Sequence, residues 1–293
     1  MHAKPRTIRD VFDVCVSVVR IVSRGRTPDA HAAQRNILLD VFTHKWPIAK
    51  RTKCVITPGG FVRAPWPKGV LVPAGWHSRA QDLEVLTNYA ETVLVGIVTE
   101  DILLCAMGKA DVLTIGIDVL NGPGGIHTEL VAVYDVSRAS IIRWTGKSYP
   151  TPRQERTLVH VVDLETHLLS MAGERFLVLG CHDLNMWSPR GRANQSPDGL
   201  RRKRCEAMKA EVDAFQPTIV LQHPHSTDSP NIWRLPWLSL AREIPSVRTW
   251  ASGIAYYHSE SNRERADFER VLALTRSDER MVVDVVIDAA DYG

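Results

Sequence analysis

Short runs rich in Val and Ile recur along this 293-residue chain, and they constrain its fold more than any other feature. They include VCVSVVRIV, KCVITPG, VLTIGIDV, RFLVLGC and TIVLQH. Several are almost continuously apolar, which is typical of strands covered on both faces. Segments with helical spacing lie between some of these strands. The alternation favours an α/β fold over separate all-α and all-β domains.

The middle of the chain has a different pattern. Between Asp111 and Asp163, four strand-like runs follow one another with only turns between them, the first turn being NGPGG after Leu120. Such a block predicts an antiparallel set of strands. A layered sandwich of sheets with outer helices accommodates both patterns. Because no internal repeat or Pro/Gly/Ser-rich linker divides the sequence, we expect one domain spanning residues 1–293.

Charge and cysteine content restrict the partners and the compartment. The 36 basic and 33 acidic residues nearly balance, giving a net charge of +3, so bulk charge indicates no polyanionic partner. The one dense basic run, Arg201–Arg204, opens a helix-like segment, and we interpret it as a solvated helix face rather than a nucleic-acid site. Five cysteines without a CxxC pair are typical of a reducing compartment. We therefore expect a cytoplasmic protein.

No apolar stretch approaches the roughly 20 residues that a membrane span requires. The apolar run near the N-terminus is interrupted by Asp13 and lacks a small-residue cleavage site, so it does not fit a signal peptide. The sequence predicts no membrane partner.

The segment FLVLGCHDLNMWSPRG places a cysteine where a buried strand ends and the chain turns polar. Reactive groups in open α/β sheets lie at such strand ends. Cys181 is therefore a candidate nucleophile, and the backbone amide of His182 could donate to an oxyanion beside it. The alternative is that Cys181 is an inert small hydrophobe, as most buried cysteines are.

Lys147 follows another strand, ASIIRWTG, at its polar end. An ammonium group beside a thiol lowers the thiol pKa and stabilises developing negative charge. Lys147 and Cys181 would then act together if the fold brings the two strand ends to one edge.

In this order, the segments resemble the nitrilase, or carbon–nitrogen hydrolase, superfamily. LVLGCHDLNMWSP is similar to its nucleophile segment, and ELVAVYDVSRASIIRWTGKSYP is similar to the stretch that ends in its catalytic lysine. FQPTIVLQHPHSTD resembles the next strand, and WLSLAREIPSVRTWASGIAYY the helix and strand that follow. The resemblance implies a four-layer α-β-β-α sandwich. It also implies a cysteine-dependent enzyme that acts on a carbon–nitrogen bond of a small amide, nitrile or carbamoyl compound, without cofactor or metal and as a homodimer or larger homo-oligomer.

The chain departs from this family at one catalytic position. In CVITPGGFV, Gly59 stands where the family has its glutamate base. A positioned general base contributes about 10²–10⁴ in rate, so the hypothesis requires a replacement. We consider Glu155 the catalytic candidate, with Glu129 and His182 as alternatives; His182 could shuttle protons near neutral pH. His182, Glu129, His223 and Trp187 are the predicted substrate-binding residues, since aromatic side chains after strand ends can wall a pocket.

Two other functions fit the same sequence. The missing glutamate is compatible with a catalytically inactive binding or subunit protein. A divalent metal site for hydrolysis is also possible, because several metal-binding side chains follow neighbouring strands, namely His182, Asp183, His223, His225 and Asp228.

Overall fold

A computed structural model describes residues 16–189, 191, 199–226, 231–257 and 266–293. Its strands are β1 (Val18–Arg24), β2 (Thr52–Ile56), β3 (Val62–Pro65), β4 (Ala110–Leu120), β5 (Thr128–Asp135), β6 (Ser140–Gly146), β7 (Leu168–Met171), β8 (Glu174–Leu179), β9 (Ile219–Gln222), β10 (Thr249–Ser252), β11 (Ile254–Tyr256) and β12 (Val282–Asp288). Its α-helices are α1 (His31–Thr43), α2 (Ala80–Val95), α3 (Glu100–Ala106), α4 (Leu200–Phe215), α5 (Asn231–Glu243) and α6 (Phe268–Leu274).

The strands form two sheets. The larger sheet has eight strands in the order β11-β1-β2-β4-β5-β6, with β12 also pairing with β1 and β3 with β4. Its β1, β2 and β4 are parallel neighbours, whereas β4-β5 and β5-β6 are antiparallel. The smaller sheet has the order β10-β9-β8-β7, in which β8, β9 and β10 are parallel. The carboxyl ends of the parallel strands are therefore where candidate site residues gather.

Three apolar clusters show how the layers stack. The first joins one face of the eight-stranded sheet to α1, α2 and α3, with Ile37, Leu94 and Ile115 among its members. The second lies between the sheets and contains Val131 of β5 and Val178 of β8. The third joins the other face of the four-stranded sheet to α4 and α5. The layers thus follow the order helix, sheet, sheet, helix, and the four-layer α-β-β-α prediction is confirmed.

The antiparallel middle block is confirmed for three of its four predicted strands. The fourth run, residues 157–164, forms no ladder. Instead, Leu158 makes one isolated bridge with His127, and the Val161 N–H donates to the carbonyl of Lys147. This segment, buried at residues 158–161, crosses the carboxyl end of β6 rather than extending the sheet, because its hydrogen bonds go to residues at strand ends.

The run VRTWASGIAYY, treated as one strand in the sequence, is two strands in different sheets. β10 belongs to the smaller sheet and β11 to the larger one, and Gly253 separates them. The backbone of Gly253 lies so close to Thr57 that an added Cβ would stand 2.4 Å from the Thr57 carbonyl oxygen. The chain therefore changes sheets at a residue that has no side chain.

Two of the four basic residues at the start of α4 face inward, contrary to the prediction of a solvated face. The Arg204 guanidinium donates to the carbonyls of Val161 and Val162, and Arg201 lies 4.2 Å over the ring of Tyr149. These arginines fasten the segment after β6 to the helix. Among the described helices, none has the length and apolar character needed to cross a bilayer.

Candidate active site

Cys181 lies one residue beyond Gly180 at the carboxyl end of β8, where a turn leads into the 3-10 helix Asp183–Trp187. Its side chain is buried, with 5% of the residue exposed. Its carbonyl oxygen accepts a hydrogen bond from Gln222 Nε2 at 2.8 Å, and Gln222 in turn accepts one from Ser252. This polar chain across the smaller sheet holds the turn at Cys181 in place.

Lys147 reaches the same region from the end of β6 in the other sheet. It is 1% exposed, and its Nζ donates to Glu129 Oε1 at 2.9 Å and to Gln154 Oε1 at 2.6 Å. Burial alone would lower the pKa of Lys147, but the negative charges of Glu129 and Cys181 raise it above the ordinary value. The ammonium form is therefore the stable one in this buried position.

Glu129 is the buried carboxylate of the cluster. Its Oε1 accepts hydrogen bonds from Lys147 and, at 2.7 Å, from Gln154 Nε2. Burial would raise the pKa of Glu129, but the charges of Lys147 and His225 hold it at about 2. Its second oxygen has no hydrogen-bond partner within the described ranges and lies 3.7 Å from His225 Nδ1.

Asp118 and His225 complete the cluster. Asp118 stands opposite Glu129 in the β4–β5 register, so both side chains share one face of the hairpin. His225 follows β9, and its Nε2 lies 2.8 Å from Asp118 Oδ2. Burial would lower the pKa of His225, but Asp118, Glu129 and Cys181 together raise it well above the ordinary histidine value.

The Cys181 thiol is strongly acidified by these surroundings. Burial would raise its pKa, yet the charges and hydrogen bonds of the His182 and His225 rings lower it to about 5. A thiolate is the nucleophilic form of cysteine. Near neutral pH, the site therefore holds an anionic sulfur between cationic partners, as an activated nucleophile requires.

Asp183 has a structural place beside this cluster. Its Oδ1 accepts from the backbone N–H groups of Ser148 (3.0 Å) and Tyr149 (2.7 Å), and its Oδ2 from that of Gly180 (2.9 Å). The carboxylate joins the segment after Lys147 to the turn before Cys181. It thereby fixes the position of the lysine relative to the thiol across the two sheets.

The structure brings together four of the predicted site residues: Cys181, Lys147, Glu129 and His182. The His182 ring packs edge-on against Trp233, with ring centroids 5.8 Å apart. Within the described ranges the His182 backbone N–H donates no hydrogen bond.

Glu155 lies outside the cluster, contrary to its predicted role as the base. Its side chain is 33% exposed and pairs with Arg201 at 3.2 Å. The adjacent Gln154 enters the cluster instead, because the turn at residues 151–158 directs that side chain inward. No contact joins the Glu155 carboxylate to Cys181, Lys147 or Glu129 in the described part of the chain.

Trp187 and His223 are also placed differently from the prediction. Trp187 is buried in the apolar cluster between the smaller sheet and its helices, so it fills the core rather than walling a pocket. The His223 ring is buried as well, and burial lowers its pKa to about 3. Neither of its ring nitrogens has a partner among the described residues.

Of the metal-binding set considered from sequence, Asp228 lies outside the described residues, and Asp183 directs both oxygens to backbone N–H groups. A different trio, Glu129, Cys181 and His225, places one donor atom each within 4.8 Å of the others. Lys147 already donates to the Glu129 carboxylate, and its ammonium would repel a cation there. The charges of this trio fit the ammonium better than a divalent metal.

Three members of the cluster were not assigned to it from sequence: Gln154, Asp118 and His225 in its present role. Asp118 could have been found from the NGPGG turn, because a hairpin centred there pairs Asp118 with Glu129. The positions of Gln154 and His225 depend on irregular segments, where periodicity gives no information.

No family model matches the chain, and no curated protein does. Among solved structures, the chain is similar to an amidase of the nitrilase superfamily from Nesterenkonia sp. AN1, with 17% identity, coverage of 82% of this chain and 78% of that one, and a TM-score of 0.45. A carbon–nitrogen hydrolase superfamily protein from Xanthomonas campestris, with an arsenic adduct in its active site, has 11% identity, 85% and 78% coverage and a TM-score of 0.45. A glutamine-dependent NAD+ synthetase from Acinetobacter baumannii has 13% identity, 80% and 38% coverage and a TM-score of 0.46.

Proposed function

We propose that the protein is a cysteine-dependent hydrolase or acyl-transfer enzyme acting on the carbon–nitrogen bond of a small amide, nitrile or carbamoyl compound. The observation that carries this proposal is the meeting of the Cys181 thiol, with its pKa of about 5, and the buried Lys147 ammonium at the carboxyl edges of two facing sheets. A thiolate and a fixed cation are the two parts needed to attack a carbonyl or nitrile carbon and to stabilise the resulting negative charge.

In this mechanism the Cys181 sulfur attacks the electrophilic carbon. The oxyanion or imine anion that forms is stabilised by Lys147 and by the backbone N–H of His182. Glu129 and Gln154 orient the ammonium, because each accepts a hydrogen bond from it and Gln154 donates another to Glu129. Water or an amine then releases the acyl group. The second route would make the enzyme a transferase rather than a hydrolase.

Intact-mass measurement tests the proposal directly. The protein is incubated with a panel of amides, nitriles, carbamoyl compounds and esters, and each mass is compared with that of the untreated chain. We expect the mass of one acyl group to be added at Cys181 and to be lost in Cys181→Ala. Cys105→Ser, which alters a free thiol elsewhere in the chain, is the matched control and should acylate normally. Turnover that survives Cys181→Ala at the wild-type rate would contradict the proposal.

A second candidate function is a catalytically inactive binding or subunit protein. The observation that favours it is Gly59, since the position of the family's base holds no side chain. This function predicts that a ligand of the same classes binds tightly without forming an adduct. Calorimetric binding together with an unchanged protein mass would support it over the enzyme.

The proposal extends to compartment and assembly. Four cysteines of the described ranges are free thiols, Cys54, Cys105, Cys181 and Cys205, which suits a reducing, cytoplasmic setting. A homo-oligomer is proposed by analogy with the superfamily, and light scattering of the purified protein tests it.

A further inference from the structure

Cleavage of a carbon–nitrogen bond needs a proton for the departing nitrogen and later a base for water. Glu129 is poorly suited to this task, because its pKa is about 2 and its Oε1 is bonded to both Lys147 and Gln154. Glu155 lies outside the cluster. The proton-transfer group must therefore be another side chain at the site.

His225 is within reach of the sulfur and of solvent. One ring nitrogen of His225, the Cys181 sulfur and a Glu129 oxygen all lie within 4.8 Å of one another. The His225 side chain is 29% exposed, whereas those of Lys147 and Glu129 are 1% and 9% exposed. Of these three ionisable groups, His225 is the one best placed to meet a substrate arriving from outside.

Asp118 fixes the orientation of this ring. It binds Nε2 at 2.8 Å, and Nδ1 lies 3.7 Å from the second oxygen of Glu129, while the Cys181 sulfur is within 4.8 Å of one of the two ring nitrogens. A carboxylate on one imidazole nitrogen sets the tautomer and stabilises the protonated ring. The sulfur, ring and carboxylate thus form a nucleophile–base–orienting sequence.

The two glycines of CVITPGGFV lie against the segment that carries the ring, and Gly60 makes room for the ring itself. Gly60 has a φ of +58°, and a Cβ on it would stand 2.6 Å from Asp118 Oδ2 and 3.0 Å from His225 Cδ2. The Gly59 N–H donates to the carbonyl of Pro224 at 3.0 Å and so holds the backbone just before His225. The loop that lacks the family's glutamate is the loop against which the His225–Asp118 pair packs.

We propose that His225, oriented by Asp118, is the general acid and base of this site and replaces the glutamate that Gly59 has displaced. The inference rests on the proposed function and deepens it. His225 is a catalytic residue in this scheme, and Asp118 is a positioning residue.

The proton balance closes without another reactant. The Cys181 thiolate forms a C–S bond to the acyl carbon, and the His225 imidazolium gives its proton to the nitrogen as the C–N bond breaks. Neutral His225 then takes a proton from water, and the hydroxide forms a C–O bond as the C–S bond breaks. The products are the amine and the carboxylic acid, and both the thiolate and the imidazolium are restored.

Charges around the ring favour the imidazolium as the resting form. The groups that face or influence it are Asp118 from β4, Glu129 from β5, the Cys181 thiolate after β8, His182 and Lys147. The first three are anionic and together raise the pKa of His225 against the effect of burial. The resting site therefore already carries the proton needed by the leaving nitrogen.

The test compares an anilide and a p-nitrophenyl ester with the same acyl group. The ester's leaving group departs as an anion and needs no proton. In His225→Gln we expect acylation by the anilide to fall by about 10²–10⁴-fold, with acylation by the ester much less affected. Deacylation should slow for both, so that acyl-enzyme accumulates in the mass spectrum. Added imidazole should restore part of the deacylation rate.

Alkylation of Cys181 by iodoacetamide gives a second readout that needs no substrate. In the wild type the rate should follow a titration near pH 5, and in His225→Gln the midpoint should rise. Asp118→Asn should move the midpoint in the same direction by a smaller amount. His44→Gln, which alters an exposed histidine–aspartate pair elsewhere, is the matched control.

The possible failures are distinguishable. A wild type that is acylated by both probes, with His225→Gln equally fast on the anilide, overturns the role of His225 but leaves the proposed function standing. A wild type that neither probe acylates overturns the proposed function as well. An unchanged alkylation midpoint in a folded His225→Gln contradicts the inference whatever the substrates show.

Discussion

The backbone of Gly59 lies so close to His223 that a Cβ on the glycine would stand 2.3 Å from the His223 carbonyl oxygen. Any side chain at position 59 therefore displaces the segment that leads to His225. The backbone around Gly59 thus leaves no room for a side chain at this position.

We expect Gly59→Ala to destabilise the protein by about 1–3 kcal/mol through overpacking, and Gly59→Glu to destabilise it more. Neither should hydrolyse amides faster than the wild type. Urea unfolding measures the loss, with Gly96→Ala as control because an added Cβ there meets only Val93 O at 3.7 Å. A stable Gly59→Glu with increased turnover would show that the loop is free to accept a base.

Removal of the Asp183 carboxylate should loosen the connection between the two sheets. Asp183→Ala leaves three backbone N–H groups without their acceptor, at a cost of about 1–3 kcal/mol for each one that stays buried and unpaired. Asp183→Asn keeps one acceptor oxygen and should lose less. Asp163→Ala, which removes a single exposed bond to the Glu165 N–H, is the comparison in the same urea experiment. Equal losses for the two alanine variants would contradict this role.

Neutralising each of the two glutamates considered as bases should change the free energy of unfolding by very different amounts. Glu129→Gln leaves the Lys147 charge without its main partner in a buried site, and we expect a loss of about 3–5 kcal/mol. Glu155→Gln breaks a partly exposed pair with Arg201 and should cost only about 0–1 kcal/mol. It should also leave acylation of Cys181 unchanged. Slow acylation in a folded Glu155→Gln would show that Glu155 does take part in the reaction.

The buried His223 ring should make stability depend on pH. In the unfolded chain His223 takes up a proton near its ordinary pKa of 6.5, whereas in the folded protein burial lowers the pKa to about 3. Between these values the unfolded state binds more protons. Stability from this group is therefore complete above pH 6.5 and is lost as the pH falls toward 3, by up to about 1.4 kcal/mol per pH unit.

His223→Leu removes this proton uptake. As the pH is lowered from 6.5 to 5, the unfolding free energy of the wild type should fall relative to that of the variant. Between pH 7 and 8 the difference between the two should stay constant. Urea titrations at half-unit intervals measure it. A difference that does not change with pH would mean that the folded ring accepts a proton as readily as the unfolded one.

The strand ends could be predicted from the sequence because regular elements carry periodic signals. Cys181 and Lys147 each lie just after the end of a strand, so their meeting at one edge was predictable from the sheet architecture. Glu155 and Gln154 differ by one position in an irregular segment, and only the course of that segment decides which one turns inward. His223 and His225 follow the end of β9, where strand alternation no longer determines which way a side chain points. The backbone contacts of this segment with Gly59 lie between the two rings, which therefore have different surroundings.

The cluster draws its charges from both layers. Cys181 and His225 come from the four-stranded sheet, whereas Asp118, Glu129 and Lys147 come from the eight-stranded one. Apolar packing between the layers resists their separation but has little directional preference against sideways slippage. The polar bonds between the side chains of this cluster supply that preference. The reactivity of the Cys181 thiol should therefore depend on how the two sheets are aligned. Warming that shifts one sheet relative to the other should therefore slow alkylation of Cys181 at a temperature where most of the backbone is still folded.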